Sequence, residues 1–136
     1  MLKIQTATVK DIPTLLLNDR YMSTKELARI IPLEHVLMAF NGDKFVGWLR
    51  YGLFWDKIPF VNMISVLEPE RDKGYGMQLM LQWEKQMREE GFKRVMASTR
   101  SNEEGQHFYR KLGYRDAGCL LLPDEPLELV FSKILA

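Results

Sequence analysis

Arg71-Asp72-Lys73-Gly74-Tyr75-Gly76 is the stretch on which the reading of this chain turns. Before it runs Phe60-Val61-Asn62-Met63-Ile64-Ser65-Val66-Leu67, apolar, β-branched and of strand length. After it, Met77 to Glu90 has helical periodicity. A strand, a short basic glycine loop and a helix start form an anion-binding device. The helix N-terminus presents unpaired N–H groups and the positive end of the macrodipole. Gly74 and Gly76 let a ligand approach the backbone, and Arg71 and Lys73 add charge. The guest such a loop suits is a phosphate or pyrophosphate. The P-loop pattern GxxxxGK[ST] is absent, and the dinucleotide pattern GxGxxG fails because Leu79 stands at its third glycine.

A second block follows about 30 residues on. Val95-Met96-Ala97-Ser98-Thr99 reads as a strand. Ser101 to Tyr114 reads as a helix, with Ser101 and Glu104 as its capping box and Gly113 as the left-handed residue that ends it. Outward from these blocks, punctuation sets the remaining elements. Leu2 to Thr6 is a first strand. Thr8 and Asp11 cap a helix to about Leu17, and Ser23 with Glu26 opens another that Pro32 ends. Val36–Phe40 and Lys44–Trp55 form a hairpin about Asn41-Gly42, a pair suited to a type I′ turn. Met80, Trp83 and Met87 make a buried stripe with Gly76, Glu84 and Arg88 pair on the outer face, and Gly91 ends that helix. Arg94–Thr99, Tyr114–Leu122 and Leu127–Ser132 are the last strands. Strand 60–67, helix 75–90 and strand 94–99 make a βαβ unit, so those two strands are expected to be parallel in a mixed sheet flanked by helices.

Bulk properties narrow the class. A chain of 136 residues is expected to be one domain, 1–136, with a sizeable core. A net charge of +1 gives no reason to expect nucleic acid or a membrane surface as partner. The single cysteine, Cys119, allows no internal disulfide, fits a reducing cytoplasm and is expected to pack as a small hydrophobe. No leader pattern and no long apolar run is seen.

Arg71-x-x-Gly74-x-Gly76 resembles the pyrophosphate loop of the GNAT family, the GCN5-related N-acetyltransferases that bind acetyl-coenzyme A (acetyl-CoA). Asn102 with Phe108-Tyr109-Arg110-Lys111-Leu112-Gly113-Tyr114 resembles that family's second signature. The resemblance covers nearly the whole chain, residues 1–40 only in pattern. It implies an α/β GNAT-like fold, a mixed sheet of about six to seven strands with two parallel strands splayed apart. It implies acetyl-CoA as cosubstrate, with no metal. The pantetheine arm would lie along Ile64, Val66 and Leu67. The pyrophosphate would sit on the N–H groups of Lys73, Gly74, Tyr75, Gly76 and Met77, facing Arg71 and Lys73. Asn102 would touch the coenzyme. The Ile64 N–H would serve the oxyanion, and Tyr109 would give a proton to the departing sulfur.

The activity so implied is transfer of acetyl to an amine of a small molecule or protein by direct attack in a ternary complex. A module that binds acyl-CoA without transfer is the alternative, and a homodimer stays open. An amine with pKa ~10.4 is neutral in well under ~0.1% of molecules at pH 7, so the site must remove a proton. Some family members carry a glutamate on the strand before the loop, but the matching count from Gly74 lands on Phe60. Asn62 is no base, and Glu68 and Glu70 read as surface residues. Asp56, Glu34 or a water chain stay open, and no base is assigned. Acceptors would enter near Asn18–Met22 and along Trp48–Trp55, where alternation puts Trp48, Arg50 and Phe54 on one face of the strand. Bland readings stand beside these: Asn102 as a cap, Tyr109 as a core aromatic, His107 as a helix-surface residue.

Overall fold

A computed structural model describes residues 2–136. Seven strands, β1 Leu2–Thr6, β2 Val36–Asn41, β3 Lys44–Phe54, β4 Ile58–Val66, β5 Arg94–Arg100, β6 Arg115–Leu120 and β7 Glu128–Ile134, form one sheet in the order β1-β2-β3-β4-β5-β7-β6. Four helices accompany it: α1 Ile12–Asn18, α2 Thr24–Ile30, α3 Tyr75–Glu89 and α4 Gly105–Lys111. β4 and β5 run parallel, Phe60 opposite Met96 and Val61 opposite Ala97, whereas β1-β2, β2-β3, β5-β7 and β6-β7 are antiparallel. This is the mixed sheet that the βαβ reading required. Among the described residues, no helix is long and apolar enough to cross a membrane.

The chain divides into two compact units, Met1–Arg50 with Met63–Met80, and Tyr51–Asn62 with Leu81–Ala136. In the first, Leu15, Leu27, Ile30, Ile31, Val36, Met38 and Trp48 make a buried cluster under α1 and α2. Thr8 N–H donates to Asp11 Oδ2 at 2.8 Å at the start of a 3-10 turn, Val9–Asp11, that leads into α1, and Glu26 N–H donates to Ser23 Oγ at 3.2 Å, so Ser23 caps α2 while the Glu26 carboxylate turns to Arg29. β3 differs from expectation. Trp48, Leu49 and Tyr51 are all buried, because β3 lies inside the sheet and both of its faces are covered. The β2-β3 turn is Gly42-Asp43, with Asn41 paired to Lys44. Only Gly42 of the two has positive φ, +63°, which is the II′ pattern rather than I′.

In the second unit, α3 and α4 end alike. After α4, Tyr114 N–H donates to Tyr109 O at 3.1 Å and Gly113 N–H to Arg110 O at 3.0 Å, with Gly113 at φ +91°. That is a Schellman end, and α3 repeats it with Phe92 and Gly91. The start of α4 departs from the sequence reading. Ser101 N–H donates to Leu127 O at 2.8 Å, and the Gln106 amide donates to Ser101 O at 2.9 Å. Residues 101–104 are therefore a turn tied to the approach to β7, and the helix begins only at Gly105. Cys119 is exposed, since β6 is an edge strand whose residues are all exposed.

Candidate functional site

The glycine loop belongs to the first unit. Leu67 N–H donates to Val46 O at 2.8 Å, which fixes where β4 ends. A short 3-10 turn, Glu68–Glu70, then leads into the loop. Asp72 has φ +65° and Gly74 φ +81°, with Lys73 between them outside the positive region. Such alternation turns consecutive N–H groups toward one concavity, the geometry of an anion nest. Gly74 O accepts Gln78 N–H at 3.1 Å, so α3 starts immediately after it and offers its unpaired N–H groups there. The 15 residues of α3 give its dipole full length.

The basic residues of the loop are engaged. Arg71 Nε donates to Val66 O at 2.9 Å, holding the guanidinium against the end of β4. Lys73 Nζ stands 3.4 Å and Lys44 Nζ 3.3 Å from the same oxygen, Oε2 of Glu70. Glu70 is 4% exposed, and this corrects its reading as a surface residue. Burial pushes its carboxyl up, but the hydrogen bond and charge of Lys44, with the charge of Lys73, hold it below its ordinary value. Lys73 is three residues from Glu70, but Lys44 is 26 residues away, so only the fold could reveal that second pairing. Ile64, Val66 and Leu67 are half-buried on and just after β4, in the same unit as Arg71, Lys73, Gly74, Tyr75, Gly76 and Met77.

The first unit also carries the loop between α1 and α2. Asp19, 2% exposed, accepts Arg50 Nε at 2.7 Å and Trp48 Nε1 at 3.2 Å on Oδ2, and Tyr21 N–H at 3.2 Å on Oδ1. No local pattern signals this cluster, because 31 residues separate Asp19 from Arg50. Glu34, which ends a 3-10 turn at φ +63°, is exposed, and so in the second unit is Asp56, at φ +59° in the β3-β4 turn.

Tyr109 belongs to the second unit and is 4% exposed. Its ring meets Phe108, Tyr114 and Phe131 at centroid distances of 5.4, 5.5 and 5.7 Å. Burial first, and then the negative charge of Glu128, push its phenol well above the usual value. The hydroxyl therefore keeps its proton at neutral pH. Asn102 is exposed in the turn before α4, and His107 is exposed beside Glu104 at 3.8 Å.

Behind Tyr109 lies a buried polar network that corrects the reading of Glu84. This residue is 0% exposed, not on an outer face. Tyr114 Oη donates to it at 2.9 Å and Lys133 Nζ at 2.7 Å, while Arg88 stands at 3.9 Å. Lys133 Nζ also donates to Leu112 O at 2.6 Å, so the network clamps the end of α4. The signal was present: Glu84 follows Met80 by four and precedes Met87 by three, inside the apolar stripe. Glu128 opens β7 half-buried, a carboxylate within the apolar run Leu127 to Phe131.

The sequence model of the acetyltransferase (GNAT) family matches residues 8–114. None of the curated proteins matches the chain. Solved structures do. Ard1 from Thermoplasma volcanium is 19% identical with a TM-score of 0.83, over 98% of this chain and 97% of that one. PaiA N-acetyltransferase from Thermoplasma acidophilum, solved with coenzyme A, is 16% identical with a TM-score of 0.82, over 98% and 99%. The ribosomal-protein-S18-alanine N-acetyltransferase of Escherichia coli is 16% identical with a TM-score of 0.82, over 100% and 95%. At these identities the likeness is one of fold.

Proposed function

The chain belongs to the acetyltransferase (GNAT) family, and from that premise we propose that it transfers the acetyl group of acetyl-CoA to an amine by direct attack in a ternary complex. The observation that carries this reading is the loop of alternating φ at Asp72 and Gly74 feeding straight into α3, on a strand parallel to β5. That is a cradle for a pyrophosphate. Two of the similar solved structures, the PaiA enzyme and an N-acetylglutamate synthase from Neisseria gonorrhoeae, contain coenzyme A, which supports the same cosubstrate here.

In this reading the N–H groups of Lys73 to Met77 take the pyrophosphate, with Arg71 and Lys73 beside it. The backbone of Ile64, Val66 and Leu67 takes the pantetheine arm, and Asn102 touches the coenzyme. The amine nitrogen, neutral after losing a proton to water, attacks the thioester carbon and sheds a second proton to water, from which the Tyr109 phenolate is later restored. The Ile64 N–H stabilises the negative charge that develops on oxygen. The C–S bond breaks, and Tyr109 offers its proton to the sulfur. Acceptors approach by the α1-α2 loop that Asp19 anchors.

A panel of primary amines tests the proposal: alkylamines, polyamines, amino acids and peptides with free N-termini, each with acetyl-CoA, followed by release of coenzyme A thiol. Amine-dependent release is expected. Coenzyme A binding by calorimetry with no release for any amine would move the chain to the binding-module reading.

A further inference from the structure

The β2-β3 hairpin holds the end of β4, and one position in it has no room for a side chain. The two strands keep one register from Val36 opposite Arg50 to Ala39 opposite Gly47. From Phe40 opposite Phe45 to Asn41 opposite Lys44 the register is shifted by a residue. Val46 is therefore an extra residue, a bulge on β3. Its carbonyl takes the Leu67 N–H at 2.8 Å, just past the end of β4. The next residue, Gly47, lies against the last peptide of β4, Ser65–Val66. A Cβ at Gly47 would stand 2.6 Å from Ser65 O, 3.3 Å from Val66 Cα and 3.5 Å from Ser65 C. No rotamer change relieves contact that close to backbone, so a larger residue there must move a strand.

The same distances give the direction of the peptide. Ser65 O is nearer to Gly47 than the carbon that bears it, so this carbonyl points at β3. In a planar trans peptide the N–H points opposite to the C=O, so the Val66 N–H points away from β3. The neighbouring groups are held otherwise: Leu67 N–H by Val46 O, and Val66 O by Arg71 Nε at 2.9 Å. Of the backbone assigned to pantetheine beyond Ile64, the Val66 N–H is the donor that β3 does not take.

We propose that Gly47 is a positioning residue for the coenzyme, whose missing side chain lets the Ser65–Val66 peptide present its N–H to an amide carbonyl of the pantetheine arm. The inference rests on the coenzyme reading above. β3 cannot yield in place of β4. Gly47 pairs with Ala39 and is followed by Trp48 and Leu49, and all three of these are buried. A methyl group at position 47 is accommodated by turning the Ser65–Val66 peptide, and the Val66 N–H turns with it. The nest at Asp72 and Gly74 is built from its own φ angles, so the phosphate half of the site should survive.

Two ligands separate the arm from the phosphates. One is coenzyme A, and the other is 3′-phosphoadenosine 5′-diphosphate, which is coenzyme A without pantetheine. Calorimetry of Gly47→Ala should show coenzyme A bound about tenfold more weakly or worse, the scale of one hydrogen bond lost from a bound ligand. The armless nucleotide should bind within about twofold of the wild type. Circular dichroism checks the fold. In the wild-type protein, the Val66 amide resonance should shift with coenzyme A and not with the armless nucleotide, whereas the Gly74 and Gly76 amides respond to both. Unchanged coenzyme A affinity in a folded Gly47→Ala protein overturns the proposal. So does an equal loss for both ligands, because Gly47 then supports the fold as a whole. Should Gly47→Ala not fold, the wild-type resonances decide: a Val66 amide that ignores the arm overturns the role. A wild-type protein that binds neither ligand removes the coenzyme reading itself.

Discussion

Replacing Asp19 by Ala removes the acceptor of two buried donors at once. Arg50, whose side chain is 11% exposed, loses its 2.7 Å partner, and the indole N–H of Trp48 loses its bond at 3.2 Å. Breaking a buried pair by removing one member costs about 3–5 kcal/mol, because the other charge is left uncompensated. Stabilities of small domains run to about 5–15 kcal/mol, so this is a large share. At roughly 4 °C per kcal/mol for a chain of this size, Tm should fall by about 12–20 °C. Adding Arg50→Met removes the stranded charge and leaves chiefly the unpaired indole, worth about 1–3 kcal/mol. The double variant should therefore regain about 2 kcal/mol over Asp19→Ala. Glu26→Ala is the control: the Arg29 and Glu26 side chains of its pair are 66% and 47% open to solvent, and its loss should cost about 1 kcal/mol or less. Urea unfolding of the four proteins measures all of this. An Asp19→Ala cost no larger than that of Glu26→Ala, or a double variant worse than the single, would refute the argument that a buried charge pair anchors this loop. In a folded Asp19→Ala protein, KM for the amine should rise while coenzyme A affinity holds.

The other expectations concern the coenzyme side and the acid limit of the fold. Gly74→Val places a β-branched residue at φ +81° in the nest, so calorimetry should show coenzyme A affinity reduced at least tenfold, with circular dichroism intact. Unchanged affinity would remove the pyrophosphate from this loop. Glu70, whose folded carboxyl lies below its ordinary value of 4.5, stabilises the fold above that value. That contribution should vanish as pH falls through the lower folded value, and Glu70→Gln should flatten the acid limb of Tm against pH. Tyr109→Phe should bind coenzyme A normally and turn over about 10- to 100-fold more slowly.

What the sequence disclosed, and what it concealed, follows from how each feature is built. The glycine loop, the βαβ unit and the Gly113 helix end are local backbone devices, so residues a few positions apart spell them out. The caps at Thr8 and Ser23 were legible for the same reason. The false box at Ser101 had the right letters, but the carbonyl of Leu127, just before β7, takes the Ser101 N–H, a tertiary contact that no window of sequence contains. Asp19 with Arg50, Glu70 with Lys44 and Glu84 with Lys133 are likewise pairs across 31, 26 and 49 positions. Glu84 was misread because an i, i+4 partner, Arg88, offered a sufficient local explanation.

The size expected for Tyr109→Phe follows from the burial that protects its proton. A phenol near pKa 10 facing a thiolate near 8.5 already holds its proton by ~1.5 units, about 2 kcal/mol. Burial and the charge of Glu128 push the phenol higher still and widen that gap. Complete transfer to sulfur is therefore uphill at the moment the C–S bond breaks. What the hydroxyl supplies then is a hydrogen bond to a sulfur gaining charge, strongest when that charge is greatest. A bond of this kind contributes less than a matched general acid, which places the loss at the low end of the usual range.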